Sequence, residues 1–300
     1  MIRIGGVSML DFRIHTFLTV CKYMNFTRAA EELGLTQPAV SQHIRYLEEA
    51  YRTKLFFYQK KKMFLTEEGT TLLRAAAAVN HDEIHLKKQI AELRGGVKTL
   101  SFGVTLTIGE FIMPRKIAEY LRAHPETNVK MTVANTQELL KQLNSGLLDF
   151  ALVEGFFTKS EYDSLVYSEE PYIPVCGREY SPRKELRRIE DTFGERLIAR
   201  EAGSGTREIF ERYLESRNFQ IRDYKRVVEI SNISAIKALT EAGAGITFLY
   251  EAAVKKELEA GTLVRIPLQD FYLAHDFTFI WPKNSIFSEY YKELFGILAV

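Results

Sequence analysis

The chain has 300 residues, 46% hydrophobic and 26% charged, with a formal net charge of +1. This mixture excludes a disordered or fibrous protein and leaves room for two or three units with cores of their own. A near-neutral balance excludes a wholly basic nucleic-acid coat, but it hides an asymmetry: ten Lys and Arg against five Asp and Glu through Thr66, then thirty against thirty-four. Positive charge gathers where contact with phosphates would use it.

The first nine residues lack the apolar block of a signal peptide, and no apolar run approaches the roughly 18 residues of a membrane span. The expected location is the cytoplasm. Cys21 lies in an apolar pattern with Phe12, Phe17, Leu18 and Val20 and reads as core packing. Cys21 and Cys176 have no zinc or CxxC spacing, which suits a reducing compartment.

Residues 27–33 read as a helix whose apolar face is Ala29, Ala30 and Leu33. Gly34 supplies the backbone freedom of a helix end, and Thr36 can cap a second helix over 37–49. Pro38 suits that helix's first turn, where a missing N–H costs nothing. Val40, Ile44 and Leu47 form its core stripe; Gln37, Ser41 and Arg45 fall four apart on another face, with Gln42 beside them. Gln matches the donor and acceptor on adenine's edge, Ser serves base or phosphate, and Arg forks onto guanine or phosphate. Taken alone, such a face is ordinarily just solvated. The glycine turn, the proline-started helix and the basic Lys60-Lys61-Lys62 hairpin together favour a winged helix-turn-helix reading one DNA groove. Thr27 and Thr36, at the two helix starts, complete the candidate DNA-binding set.

The stretch Phe26-Thr27-Arg28-Ala29-Ala30, Leu33-Gly34-Leu35-Thr36-Gln37-Pro38-Ala39-Val40-Ser41, Ile44, Leu47-Glu48, Leu55-Phe56 and Leu65-Thr66-Glu67-Glu68-Gly69 resembles the LysR-type transcriptional regulators. The resemblance implies that Gln37, Pro38, Ser41 and Gln42 work at the DNA, with a basic wing residue at Lys61. Tyr58 and Gln42 stand where the family often has arginine, and Ala50-Tyr51 where it has a glycine. The family's start matches Met9-Leu10, so residues 1–8 are expected to be a disordered extension.

A long helix is expected over residues 67–93. Leu72, Ala76, Val79, Glu83, Leu86, Ile90 and Leu93 step by 4 and 3 in alternation, a heptad seam broken at Glu83. Its length and its position before Gly95-Gly96 favour a dimerising coiled coil and a hinge, and the resemblance implies the same use. Two copies would then read half-sites at a fixed spacing. His81 and His85 are spaced for a shared metal, but nothing completes a site, so no metal is expected.

Past Gly96, strands at 100–104, 129–133 and 150–153 alternate with helices at 112–123 and 138–144. A second set places strands at 172–176, 197–199, 226–230, 246–249 and 277–281, with helices from about Arg207, Ala235, Ala252 and Ser288. Two α/β lobes with crossings near 160–168 and 267–276 would form a cleft. The expected organisation is an all-α winged helix-turn-helix over 9–66, a linker helix and hinge over 67–96, and a two-lobed α/β effector domain over 97–300. Lobe I takes about 97–163 and 268–300, lobe II about 164–267. The resemblance implies a periplasmic-binding-protein-like arrangement whose cleft holds a small effector.

Candidate effector contacts are Thr105, Leu106 and Thr107 in one strand-to-helix turn and Gly203, Ser204, Gly205 and Thr206 in another, where hydroxyls and free N–H groups could surround an anion. Asn135, Thr136 and Asn232, each closing a strand, are added to them, and Glu154 is a further candidate. Helix capping alone explains such turns about as well. Arg200, Glu201 and Arg207 could tune the site, and the 203–207 turn resembles family members concerned with sulfur or carbon assimilation.

A rival reading is an α/β enzyme. Gly203-Ser204-Gly205 is neither a nucleophile elbow nor a dinucleotide fingerprint, there is no Walker lysine, and His275 is the only obvious base in the C-terminal half. No catalytic residue and no cofactor are expected. An exported solute-binding protein is opposed by the helix-turn-helix. The expected function is a regulator that binds double-stranded DNA as a dimer or tetramer under control of a small, anionic effector, with RNA polymerase as a further partner and no membrane contact.

Overall fold

Three side-chain caps set the frame of the N-terminal part. In the computed structural model, which describes residues 9–299, Asp11 caps α1 (Phe12–Tyr23), Asn25 caps α2 (Phe26–Leu33) and Thr36 caps α3 (Gln37–Tyr51). Each accepts backbone N–H groups that a helix start cannot satisfy internally. The extension expected over residues 1–8 lies outside the described residues. Helix α3 runs two residues further than expected and ends on Arg52, left-handed at φ 55, where glycine is usual. Val40, Ile44 and Leu47 are buried with Phe17, Val20, Ala29 and Ala30, and Cys21 packs against them. Burial pushes the Cys21 thiol up to about 12.

Strands β1 (Phe56–Gln59) and β2 (Lys62–Leu65) form the wing as an antiparallel pair in register from Phe56↔Leu65 to Gln59↔Lys62. Helix α4 (Glu67–Leu93) starts on Thr66, whose hydroxyl accepts from the Gly69 N–H at 2.9 Å. This first compact unit runs through Gly96 and includes Asn144–Leu147 and Pro282–Ser288. Those segments explain why a polar stretch of α4 is buried: Asp82 accepts from Ser285 Oγ at 2.5 Å and from the Ile286 N–H at 2.9 Å. His85 meets Phe287 edge-on at 4.4 Å. The expected seam is therefore split. Ala76 joins the winged-helix core and Glu83 is buried with Lys87 at 2.6 Å, while Val79, Ile90 and Leu93 stay open at 42%, 44% and 88% exposure.

The second unit holds β3 (Thr99–Val104), α5 (Met113–Ala123), β4 (Asn128–Val133), α6 (Thr136–Asn144), β5 (Phe150–Val153), β6 (Tyr162–Gly177), β7 (Arg196–Arg200), α7 (Gly205–Ser216), β8 (Arg226–Ile230), α8 (Ile233–Glu241), β9 (Ile246–Tyr250), α9 (Glu251–Ala260), β10 (Leu263–Arg265), β11 (Ala274–Pro282) and α10 (Ser288–Ala299). Neighbouring strands run β4, β3, β5, β11, β6, β9, β7, β8, with β10 also on β6. β3 is parallel to β4 and β5, and β7 is parallel to β8 and β9. These are the two lobes, joined through β6 and β11. The crossing expected near 160–168 lies largely within β6, a continuous 16-residue strand. Its first ten residues mix buried, partly buried and exposed positions and its last six are all buried, so one strand carries two sequence patterns. The turn after β3 continues as a π-helical segment, Ile108–Ile112, before α5. Among the described residues no helix is long and apolar enough to cross a membrane.

Candidate functional site

On the first unit, the polar face of α3 and the wing enclose a groove. Gln37, Ser41 and Arg45 line it at steps of four, joined by Thr27 from α2 and Lys61 and Lys62 from the wing. Gln37 Nε2 donates to Ser41 Oγ at 2.9 Å, so the two side chains act as one surface. Pro38, Gln42 and Lys60 are exposed but lie outside the groove. Thr36 also lies outside it, and its hydroxyl accepts from the Ala39 N–H at 3.3 Å as the helix cap. Lys54 lines the groove without having been singled out in the sequence. It sits in the turn from α3 to β1, where no periodicity marks a face, and pairs with Glu48 at 2.6 Å while Glu48 also accepts from the Leu55 N–H at 3.0 Å. The chemistry divides: amide, hydroxyl and guanidinium are groups suited to base edges, and lysine ammonium groups are suited to phosphates.

On the second unit, five of the expected effector residues, Thr107, Thr136, Glu154, Gly205 and Thr206, converge. Thr206, the second residue of α7, donates to Glu154 Oε1 at 3.0 Å, and its Oγ1 lies 3.4 Å from that of Thr107 across the lobes. Thr136 backs Gly155, where an added Cβ would come within 2.4 Å of the threonine Oγ1. A Cβ on Gly205 would meet Glu154 Cγ at 3.0 Å, so this glycine permits the close approach of α7 to the β5 end. Tyr172 donates to the carbonyls of Thr206 and Phe248 at 3.1 and 2.8 Å.

The pocket is polar and only partly satisfied. Thr105 Oγ1, Thr136 Oγ1, Glu154 Oε2 and Arg200 Nη1 are buried without a hydrogen-bond partner, and buried polar atoms ordinarily have one. Arg200 holds Glu201 through its other nitrogens at 2.8 and 2.9 Å. Burial raises the Glu154 pKa, and the hydroxyls of Thr107 and Thr206 with the Arg200 charge offset this only in part. Burial likewise lowers His275, whose ring meets the Glu154 backbone and lies 5.2 Å from Phe156.

Several expected contacts have other duties. Leu106, partly buried, packs its side chain against the apolar cluster of Ile173, Ile198 and Ile233. Asn135, Ser204 and Asn232 cap the starts of α6, α7 and α8, accepting from Glu138, Arg207 and Ala235 N–H groups at 2.9, 3.2 and 2.8 Å. Gly203, at φ 87, shapes the turn. Arg207 is committed to Glu211, Glu229 and the Arg200 carbonyl. Cys176 is buried with its thiol pushed up to about 11, which leaves little thiolate for redox chemistry. Among the described residues no group of His, Cys, Asp and Glu could hold a metal ion.

Comparison with known proteins places both domains in one family. Residues 13–70 match the model of bacterial regulatory helix-turn-helix proteins of the lysR family, and residues 94–299 match the LysR substrate binding domain. The transcriptional activator CmpR of Synechocystis is 28% identical over 273 residues, 91% of this chain and 89% of that protein. Full-length LysG from Corynebacterium glutamicum with bound effector Arg superposes with a TM-score of 0.65 at 16% identity, over 97% of this chain and 98% of that one. The CcmR regulatory domain of Synechocystis in complex with 2-PG gives 0.59 at 20% identity, over 67% of this chain and 96% of that domain. The chain belongs to the LysR family of transcriptional regulators, with a helix-turn-helix that binds DNA and an α/β domain through which an effector controls it.

Proposed function

We propose that the effector is a small anion and that it binds between Thr107 of one lobe and the start of α7 in the other. The observation that carries this reading is the buried, unpaired Arg200 Nη1, whose charge acts on Glu154, together with the buried, unpaired hydroxyl of Thr136 beside Gly155. A carboxylate, sulfate or phosphate oxygen would satisfy these donors, and the α7 dipole favours negative charge there. A ligand that joins both lobes binds one arrangement of the domain better than another, which is what control of DNA binding requires. The DNA half of the proposal rests on the groove: Gln37, Ser41 and Arg45 face bases, and Lys61 and Lys62 face phosphates. Thr27, Thr36, Pro38, Gln42 and Lys60 shape or flank that surface.

The chain acts on double-stranded DNA in the cytoplasm as a dimer or tetramer, with RNA polymerase as a further partner. Open apolar residues at Val79, Ile90 and Leu93 support self-association through α4. A regulatory role without catalysis is favoured because Ser204, the one nucleophile candidate, spends its hydroxyl as a helix cap. The cleft is tested by a thermal-shift screen of the full-length protein with sulfate, phosphate, small carboxylates and 2-PG. A hit should raise the melting temperature of the wild type but not of Thr107→Ala or Thr206→Ala. Shifts that survive both substitutions place the ligand elsewhere.

A further inference from the structure

The end of the cleft suited to an anion already holds one that belongs to the chain. Glu154, 2% exposed, sits at the C-terminal end of β5 and accepts the Thr206 hydroxyl at the start of α7 through Oε1. Its other oxygen, Oε2, is buried without a partner. The groups around it come from every neighbouring element: Thr107 before α5, Tyr172 on β6, Arg200 on β7, Tyr250 on β9 and His275 on β11. Arg200 brings the one lasting positive charge, but two of its nitrogens are engaged with Glu201. The backbone packs close on both sides of it, since an added Cβ on Gly205 would meet Glu154 Cγ at 3.0 Å and one on Gly155 would meet Thr136 Oγ1 at 2.4 Å.

An anion arriving at Arg200 and the threonine hydroxyls would therefore share a desolvated pocket with a carboxylate. Two negative charges so placed cannot both persist, and the cheapest relief is a proton on one of them. A protonated Glu154 also gains a donor: its Oε2–H can reach a ligand oxygen while Oε1 keeps the Thr206 bond.

We propose that Glu154 is the proton-linked selectivity residue of the effector cleft: an anionic effector binds together with one proton from solvent, which Glu154 takes up and presents to the ligand as a hydrogen bond. The proposal rests on the anionic reading of the effector. It deepens that reading by favouring ligands that combine an acid group with oxygens able to accept from a neutral carboxyl. Burial already holds the Glu154 carboxyl above the usual carboxylate range, so the proton costs less here than at the surface. Tyr172 and Tyr250 are pushed well above their ordinary range and stay neutral throughout. His275, lowered by burial, is the one other neighbour that changes charge near neutrality and needs its own control.

The test is calorimetric titration of the full-length wild type and Glu154→Gln with sulfate between pH 5.5 and 8, at ionic strength matched with chloride. Sulfate keeps its double charge across this window, so any slope belongs to the protein. In the wild type, affinity should fall by up to about tenfold per pH unit, with one proton taken up per sulfate bound. Glu154→Gln keeps the acceptor for Thr206 but carries no charge; it should bind sulfate at pH 8 about tenfold or more tighter than the wild type, without the slope. His275→Gln should retain the slope. A pH-independent wild type, or a slope that persists in Glu154→Gln or vanishes in His275→Gln, overturns the proton linkage and leaves the anion reading standing. Absence of sulfate binding in both wild type and Glu154→Gln at every pH overturns the anion reading and this proposal with it. The wild-type proton count needs no variant.

Discussion

Gln37 and Ser41 are joined on the exposed face of α3: the Gln37 amide donates to the Ser41 hydroxyl at 2.9 Å. The bond orients the glutamine and leaves its carbonyl, its second N–H and the serine proton free to face a base. Gln37→Ala and Ser41→Ala should each weaken specific binding by about 1–3 kcal/mol. Because each also loosens the other, the double variant should lose less than the sum, with a coupling of about 0.5 kcal/mol or more. Anisotropy titrations on an operator selected from random duplexes would measure this, beside a scrambled duplex on which the variants should match the wild type. Strict additivity would mean that the two side chains read DNA independently.

At the wing tip, Lys60 and Lys61 both adopt left-handed backbone, at φ 48 and 62, between Gln59 and its partner Lys62. A two-residue hairpin turn of this kind favours Asn-Gly, and a side chain there costs about 1–2 kcal/mol per residue. Two lysines at these positions exchange stability for charge at the wing tip. Lys61→Gly should therefore raise the stability of the winged domain by about 1 kcal/mol while flattening the salt dependence of DNA affinity by about one phosphate contact. Thermal melts and salt titrations separate the two effects. Lower stability, or an unchanged salt slope, would refute the exchange.

The parts that could be read from sequence are those whose signals are local. Thr36, Pro38 and the steps from Val40 to Leu47 define α3 within one window, and the Thr66 cap and the heptad rhythm define the bounds of α4. What escaped depends on residues far apart in the chain. The burial of Asp82 needs Ser285 and Ile286, about two hundred residues away, so the sequence showed a seam broken only at Glu83 and gave no sign of what covers that stretch. Glu154 was among the expected effector contacts, but its bond to Thr206 exists only once the lobes meet. Leu106 shows the converse: its neighbours in sequence are cleft threonines, yet its apolar side chain has a core to join. Arg207, expected from sequence to tune the site, is instead spent by the fold on Glu211 and Glu229.

Glu154 also leaves a signature in stability that needs no ligand. Burial raises its folded-state pKa above the value in the unfolded chain, which means that the folded protein holds the proton more tightly. The stability this contributes is fully present below the unfolded pKa and is lost as pH rises through the folded one. Above that point the wild type carries a buried charge that the Thr107 and Thr206 hydroxyls and Arg200 relieve only in part. Glu154→Gln keeps the shape without the charge, so its stability relative to the wild type should grow as pH rises from about 4 toward 8, the acidic end matching the ordinary glutamate range. Urea unfolding of both proteins at several pH values measures the difference directly. Parallel curves would mean that Glu154 ionises in the cleft as freely as at the surface; an advantage that instead grew toward acid would mean that Arg200 and the hydroxyls outweigh burial, leaving an ionised Glu154 as a stabilising partner.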